Sequence, residues 1–282
     1  MLINLAKSQS ELSNLHKHRM VLKDKIKTQP SLRIILWIYY FVYFISGITT
    51  ALFGFGGGFI TVPLLYALIT LVWGPRHDAS EVAMQIAVAT STFVMIFSSS
   101  LSSRAHYLKG NFNWQIIKPF MLPISIGGIL GALIALSVDS EWIRWIFIGY
   151  LIITILDCFI RPGFMQTQSE GNALRRGKCI EDTLIGTVIG TVAAFLGVGG
   201  SVMTVPLMRR RGASMLQAAA FANPLTLPMA ITGSLIYFYF AMEKHLELGS
   251  GFLGMIYIKG ALILIATSWP ASEKPEVSRR AV

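Results

Sequence analysis

Gly54-Phe55-Gly56-Gly57-Gly58-Phe59-Ile60-Thr61-Val62-Pro63-Leu64-Leu65 lies inside one long apolar block, residues 34–73. It returns 143 residues later as Gly197-Val198-Gly199-Gly200-Ser201-Val202-Met203-Thr204-Val205-Pro206-Leu207-Met208, with seven of twelve positions identical. Upstream, Gly47 matches Gly190 and Ala51 matches Ala194 at the same offset. A glycine cluster followed by a proline breaks a helix, because glycine is costly there and proline lacks a donor. In hydrocarbon, every backbone group so freed must be met by protein or by water in a cavity. Two matching broken segments, one in each half of a chain, are the best sequence-level pointer to a transport site.

Composition sets the environment. Hydrophobic residues make up 54% of the 282 and charged residues only 13%, with a mean hydropathy of +0.60. Soluble domains carry roughly 25% charged residues. The apolar residues also come in blocks near the length of about 20 that crosses a bilayer. The chain therefore reads as an all-α, polytopic membrane protein embedded in the lipid bilayer. Its net charge of +10 does not point to nucleic acid. Much of the excess sits in residues 1–33 and in short loops, where lysine and arginine act as topology signals, and no basic-aromatic surface pattern accompanies it. Cys158 and Cys179 have neither metal nor redox spacing, so free thiols are expected and no cofactor or metal is implied.

Residues 1–33 form a polar tail with Lys7, Lys17, Arg19, Lys23, Lys25, Lys27 and Arg33. It reads either as a solvated cytoplasmic tail or as an amphipathic helix on the membrane surface, and no cleavable signal is visible. Residues 34–160 form a first transmembrane repeat. Its first block is too long for one crossing and is divided by residues 54–58. Crossings follow at about 82–101, 116–138 and 142–160, the second carrying Gly127, Gly128 and Gly131 for close helix packing. Residues 161–182 are a basic connector, in which Asp182 is placed to cap a helix. Residues 183–269 form a second repeat: the second broken segment, a crossing at 215–240 interrupted by Asn223-Pro224 and Pro228, and an apolar run at 252–269. A polar tail, 270–282, ends the sequence where the first repeat has one more helix, so the second repeat reads as one helix short. His77 and His106 read as exposed loop histidines.

Topology is expected from lysine and arginine counts. If each broken block makes one net crossing, the N-terminus, the 104–118 loop and the connector all face the cytoplasm. The repeats are then parallel, and only Arg209, Arg210 and Arg211 fall on the wrong side. Counting each broken block as two crossings repairs that triplet but exports the connector.

The two motifs, with Ala87-Val88-Ala89-Thr90-Ser91 after the first and Gly254-Met255-Ile256-Tyr257 late in the second half, resemble the TauE/SafE family of sulfite and organosulfur-anion transporters. The resemblance covers roughly residues 34–270. It implies transport of a small sulfur-containing or carboxylate anion across the cell's inner membrane. Three features depart from the family pattern: the absent last helix, Ser201 in place of the third glycine, and Phe221-Ala222-Asn223-Pro224 where the first half has Ala89-Thr90-Ser91. The absent helix leaves a place for a homo-oligomer or a partner subunit.

Glycine-freed N–H groups and a following helix N-terminus suit an anion that presents several acceptor oxygens. The candidate substrate-binding residues are therefore Gly54, Gly56, Gly57, Gly58, Thr61, Pro63, Thr90 and Ser91 in the first half. Gly197, Gly199, Gly200, Ser201, Thr204 and Pro206 are the candidates in the second, and residues 56–58 and 199–201 are expected to face each other near the bilayer centre and cradle the anion. The simpler alternative is that the glycines only let helices pack. Asp157 and Lys259 read as interfacial residues, Lys259 snorkelling from a helix start. The Arg209–211 triplet reads equally as a lipid-headgroup contact or an anion-attracting vestibule. Catalysis is not expected: no histidine lies in an apolar helix and metal ligands are lacking. The alternatives to a transporter are a non-transporting scaffold or partner subunit and a passive anion channel.

Overall fold

The computed structural model describes residues 58–73, 78–110, 114–160, 179–243 and 251–272. Gly54, Gly56, Gly57, the N-terminal tail, most of the connector and the C-terminal tail lie outside them. The described chain runs as α1 (Gly58–Trp73), α2 (Asp78–Glu81), α3 (Ala83–Leu108), α4 (Trp114–Ser137), α5 (Ser140–Ile160), α6 (Cys179–Leu196), α7 (Ser201–Arg210), α8 (Met215–Glu243) and α9 (Ile258–Ser272). A two-residue hairpin, β1 (Phe252–Leu253) with β2 (Ile256–Tyr257), precedes α9, so the last run is helical only from residue 258. The protein is an all-α membrane protein. Helices α3, α4 and α8 are each long and apolar enough to cross a membrane.

The tightest packing is between α4 and α6, which run side by side in the same direction. A Cβ on Gly127 would stand 2.2 Å from Thr187 O, one on Gly131 2.2 Å from Thr191 O, and one on Gly190 2.3 Å from Ile124 O. Backbones this close exclude any side chain, which is the use expected of Gly127 and Gly131. Lipid gives helices no hydrophobic reason to associate, so close backbone contact supplies much of the attraction. Gly128 turns to the other side, where a Cβ would meet Thr232 Oγ1 at 2.6 Å.

Several local expectations are corrected. Helix α8 is continuous through Asn223, Pro224 and Pro228. Thr226 and Thr232 hydroxyls donate to carbonyls one turn back, at 3.2 Å to Ala222 O and 2.9 Å to Pro228 O. Contact with neighbouring helices makes a proline tolerable in a buried helix. Helix α3 continues to Leu108, so His106 sits in its last turn, half-buried, rather than in an exposed loop; His77 lies outside the described residues. Lys259 is exposed at the second position of α9, as expected of a snorkelling residue.

The second broken block does not make one net crossing. Arg211, just past α7, forms an ion pair with Asp182 in the first turn of α6, and both side chains are largely buried. A straight path from 182 to 211 would separate them by roughly 40 Å at 1.5 Å per residue. The chain therefore enters along α6, turns at residues 197–200 and returns along α7. Asp182 serves as the anchor of this hairpin, and Arg211 also lies over the Phe120 ring at 5.1 Å.

Two ends follow from this. Asp182, Arg211 and Phe120 share a basic end with Arg104, Lys109 and Lys118 at the α3–α4 junction. At the other end, Met84 N donates to Ser140 Oγ at 2.9 Å and Gln85 Nε2 to Val138 O at 2.9 Å, gathering the start of α3 around Asp139 and Glu141. Arg144 in α5 donates to Tyr66 OH of α1 at 3.0 Å, which places the later part of α1 there too. So α1 runs from Gly58 toward the acidic end, and α7 runs from Ser201 toward the basic end. The parallel arrangement expected from one crossing per block is overturned: the two half-helices point in opposite directions.

Candidate functional site

The starts of the two half-helices meet. A Cβ on Gly58 would stand 2.2 Å from Gly197 O and 2.7 Å from Val198 Cα. Gly197 has φ +63°, a conformation that favours glycine, and a Cβ there would also press on Val88 Cα at 2.9 Å. Ser91 Oγ donates to Gly197 O at 2.9 Å, tying α3 to this turn. Glycine at 58 and 197 is therefore demanded by packing. Counting from Asp182 along α6, the junction lies roughly 20 Å in from the basic end.

The N-terminus of α7 differs. Its backbone bonds begin with Val202 N–H to Gly199 O at 3.2 Å, Met203 N–H to Gly200 O at 3.2 Å and Thr204 N–H to Gly200 O at 2.9 Å. No side chain caps it. Among the described residues, nothing accepts from the N–H groups of Gly199, Gly200 or Ser201. Ser201 is 1% exposed and its hydroxyl also has no partner. A Cβ on Gly200 would touch nothing closer than Thr226 Oγ1 at 3.8 Å and Ile189 Cγ2 at 3.9 Å. A methyl group at Gly200 would thus fit in ordinary contact with Thr226 and Ile189, next to four donors that have no acceptor among the described residues.

The other expected donors are engaged or point elsewhere. Thr90 Oγ1 donates to Ile86 O at 2.7 Å and accepts from Tyr257 N–H at 2.9 Å, so it ties α3 to the hairpin before α9. Thr204 Oγ1 donates to Gly200 O at 2.7 Å. Thr61 is buried in α1, and Pro63 is exposed on it. Pro206 lines a cavity of ≈ 680 Å³ between α5, α6 and α7. That cavity is mostly apolar; it reaches Ile189 on one side and has Arg210 and Asp157 in its wall. Sequence reasoning missed Thr226 and Ile189, since neither belongs to a motif. The buried turn Ala222-Asn223-Pro224 just before Thr226 was the available signal.

Taken as a class, a multi-pass helical protein with a buried, re-entrant broken helix is built on the plan of membrane transporters. The family model described as sulfite exporter TauE/SafE matches residues 39–272, and the chain belongs to that family. It is similar to a probable membrane transporter protein of Haemophilus influenzae, 26% identical over 81% of this chain and 83% of that protein. A probable membrane transporter protein of Methanocaldococcus jannaschii is 25% identical over 82% of each chain. One from Xylella fastidiosa is 25% identical over 79% of this chain and 92% of its own. No solved structure matches the chain. The protein is a transmembrane transporter of this family.

Proposed function

We propose that the transporter moves a small anion, such as sulfite, an organosulfonate or a related organic acid, across the inner membrane by alternating access. One observation carries this reading: the buried N-terminus of α7 offers the N–H groups of Gly199, Gly200 and Ser201 and the Ser201 hydroxyl, with no acceptor among the described residues. A helix N-terminus carries about half a positive charge, and converging N–H groups suit an oxyanion. Gly200 leaves the backbone bare of a side chain, and Thr226 Oγ1 is its nearest neighbour, 3.8 Å from where a Cβ would stand. No cationic side chain is required, so the anion is held without a fixed positive charge that would hinder release.

The opposed directions of α1 and α7 support alternating access. Inverted half-helices meeting at one junction let each repeat open toward its own side around a shared site. In this reading Gly54, Gly56 and Gly57 complete the cradle from the first repeat. Placing the basic end in the cytoplasm satisfies the positive-inside rule for Arg104, Lys109, Lys118 and Arg209–211 together.

The test is uptake into proteoliposomes of sulfite, sulfoacetate and simple carboxylates, with and without a pH gradient. Saturable flux of at least one of these anions is expected, lost in Gly57→Leu and Gly200→Leu proteins that still insert. Normal flux in both variants would refute the reading. Flux that ignores the gradient and does not saturate would identify a passive channel instead.

A further inference from the structure

We infer that Ser99, Ser103 and His106 of α3 line the route joining the anion cradle to the basic end of the protein. The inference rests on the transport reading above and assigns residues to it that no motif marks. Ser99 is 2% exposed and Ser103 9%, and among the described residues neither hydroxyl has a hydrogen-bond partner; the Nδ1 of His106 is likewise buried and unpartnered among them. Buried polar groups are nearly always satisfied, so three in a row call for a missing partner.

Their neighbours on the same helix behave differently. Thr90, Thr92, Ser98 and Ser100 all donate to a carbonyl three or four residues back, at 2.7, 2.8, 3.4 and 2.6 Å. That bond is the usual resort of a hydroxyl in an apolar helix. Ser99 and Ser103 forgo it. Positions 99, 103 and 106 fall on one face of the helix, and the face continues through Met95 to Ser91. Ser91 bonds Gly197 O at the cradle. Met95 belongs to a buried cluster with Val205 and Met208 of α7 and Phe221 of α8. The row therefore looks into the bundle, toward the re-entrant helix.

Lengths agree as well. From Ser91 to His106 is fifteen residues, roughly 22 Å of helix, which matches the depth of the junction measured along α6. The row begins at the cradle and ends beside Arg104 and Lys109. Hydroxyl donors and an imidazole in this position would replace part of the hydration shell of a passing oxyanion.

Thiol accessibility tests this without relying on flux. In a protein carrying Cys158→Ser and Cys179→Ser, Ser99→Cys, Ser103→Cys and, as a lipid-side control, Ser100→Cys are treated with an anionic, membrane-impermeant maleimide. Labelling of S99C and S103C should exceed that of S100C by about tenfold, as expected for a position that water reaches against one that it does not. Equal, slow labelling at all three would overturn the route while leaving the transport reading intact if wild-type flux is present. The double variant Ser99→Ala/Ser103→Ala gives a second reading on unlabelled protein. Flux should fall about tenfold while the apparent Tm holds or rises, because an unpartnered buried hydroxyl does not stabilise the fold. Unchanged flux, or a lowered Tm, would contradict the inference.

Discussion

Gly58 and Ser201 occupy the same position in the two copies of the motif, and the structure uses them in opposite ways. At Gly58 a Cβ would overlap the carbonyl of Gly197, so the first half-helix begins in backbone contact. At Ser201 a whole side chain fits, stays buried, and keeps its hydroxyl free. One step earlier, a Cβ at Gly200 would fit in ordinary contact with Thr226 and Ile189, where one at Gly58 would overlap backbone. The same glycine signature thus does two jobs. In the described residues of the first copy it closes the junction, and in the second it leaves room beside a helix N-terminus. The substitution of serine for the third glycine, which looks like erosion of the motif, is permitted only on the side where space exists.

Breaking the hairpin that aims α7 should have the largest effect. Asp182→Ala strands Arg211 in a largely buried position, and removing one partner of such a pair costs about 3–5 kcal/mol. A large fall in apparent Tm in detergent is expected, and an unchanged Tm would show that the hairpin does not depend on the pair. Next, Gly58→Ser copies the second motif into the first. It forces atoms against Gly197 O and Val198 Cα, and overpacking of this kind costs about 1–3 kcal/mol. Gly200→Ala is the matched contrast. Its Cβ meets no atom within 3.7 Å, since the nearest is Thr226 Oγ1 at 3.8 Å, so stability should hold while anion uptake drops. If G58S and G200A lower Tm equally, the two glycines have the same role and the comparison fails. Ser91→Ala removes one hydrogen bond to Gly197 O, and a loss of about 1 kcal/mol is expected by thermal unfolding.

The sequence was informative wherever a local rule applied. The second copy of the glycine motif marked the break before α7, Gly127 and Gly131 marked the closest helix contact, and lysine at the start of α9 was placed correctly. What was lost was direction. An apolar block has no mark that says whether the chain continues or returns, and charge counting chose wrongly because the deciding contact, Asp182 with Arg211, joins residues 29 apart. Proline in α8 misled for a related reason: close packing against neighbouring helices holds α8 straight through it, and that packing is not visible locally. His106 was misread because α3 continues beyond its apolar part. Within the candidate site, the motif located the donors of α7 but could not show that Thr90 and Thr204 are already engaged, since their acceptors are carbonyls in helical and turn geometry.

The central claim is that an anion binds at Gly200 against the α7 donors that have no acceptor among the described residues. The most direct measurement is the concentration dependence of sulfite uptake into proteoliposomes by the wild type and by Gly200→Ala, with Tm recorded for both. The account predicts an unchanged Tm with KM raised about tenfold, the loss of about 1.4 kcal/mol expected when a ligand no longer reaches one of its donors. Saturable sulfite uptake with the same KM in both proteins would contradict it.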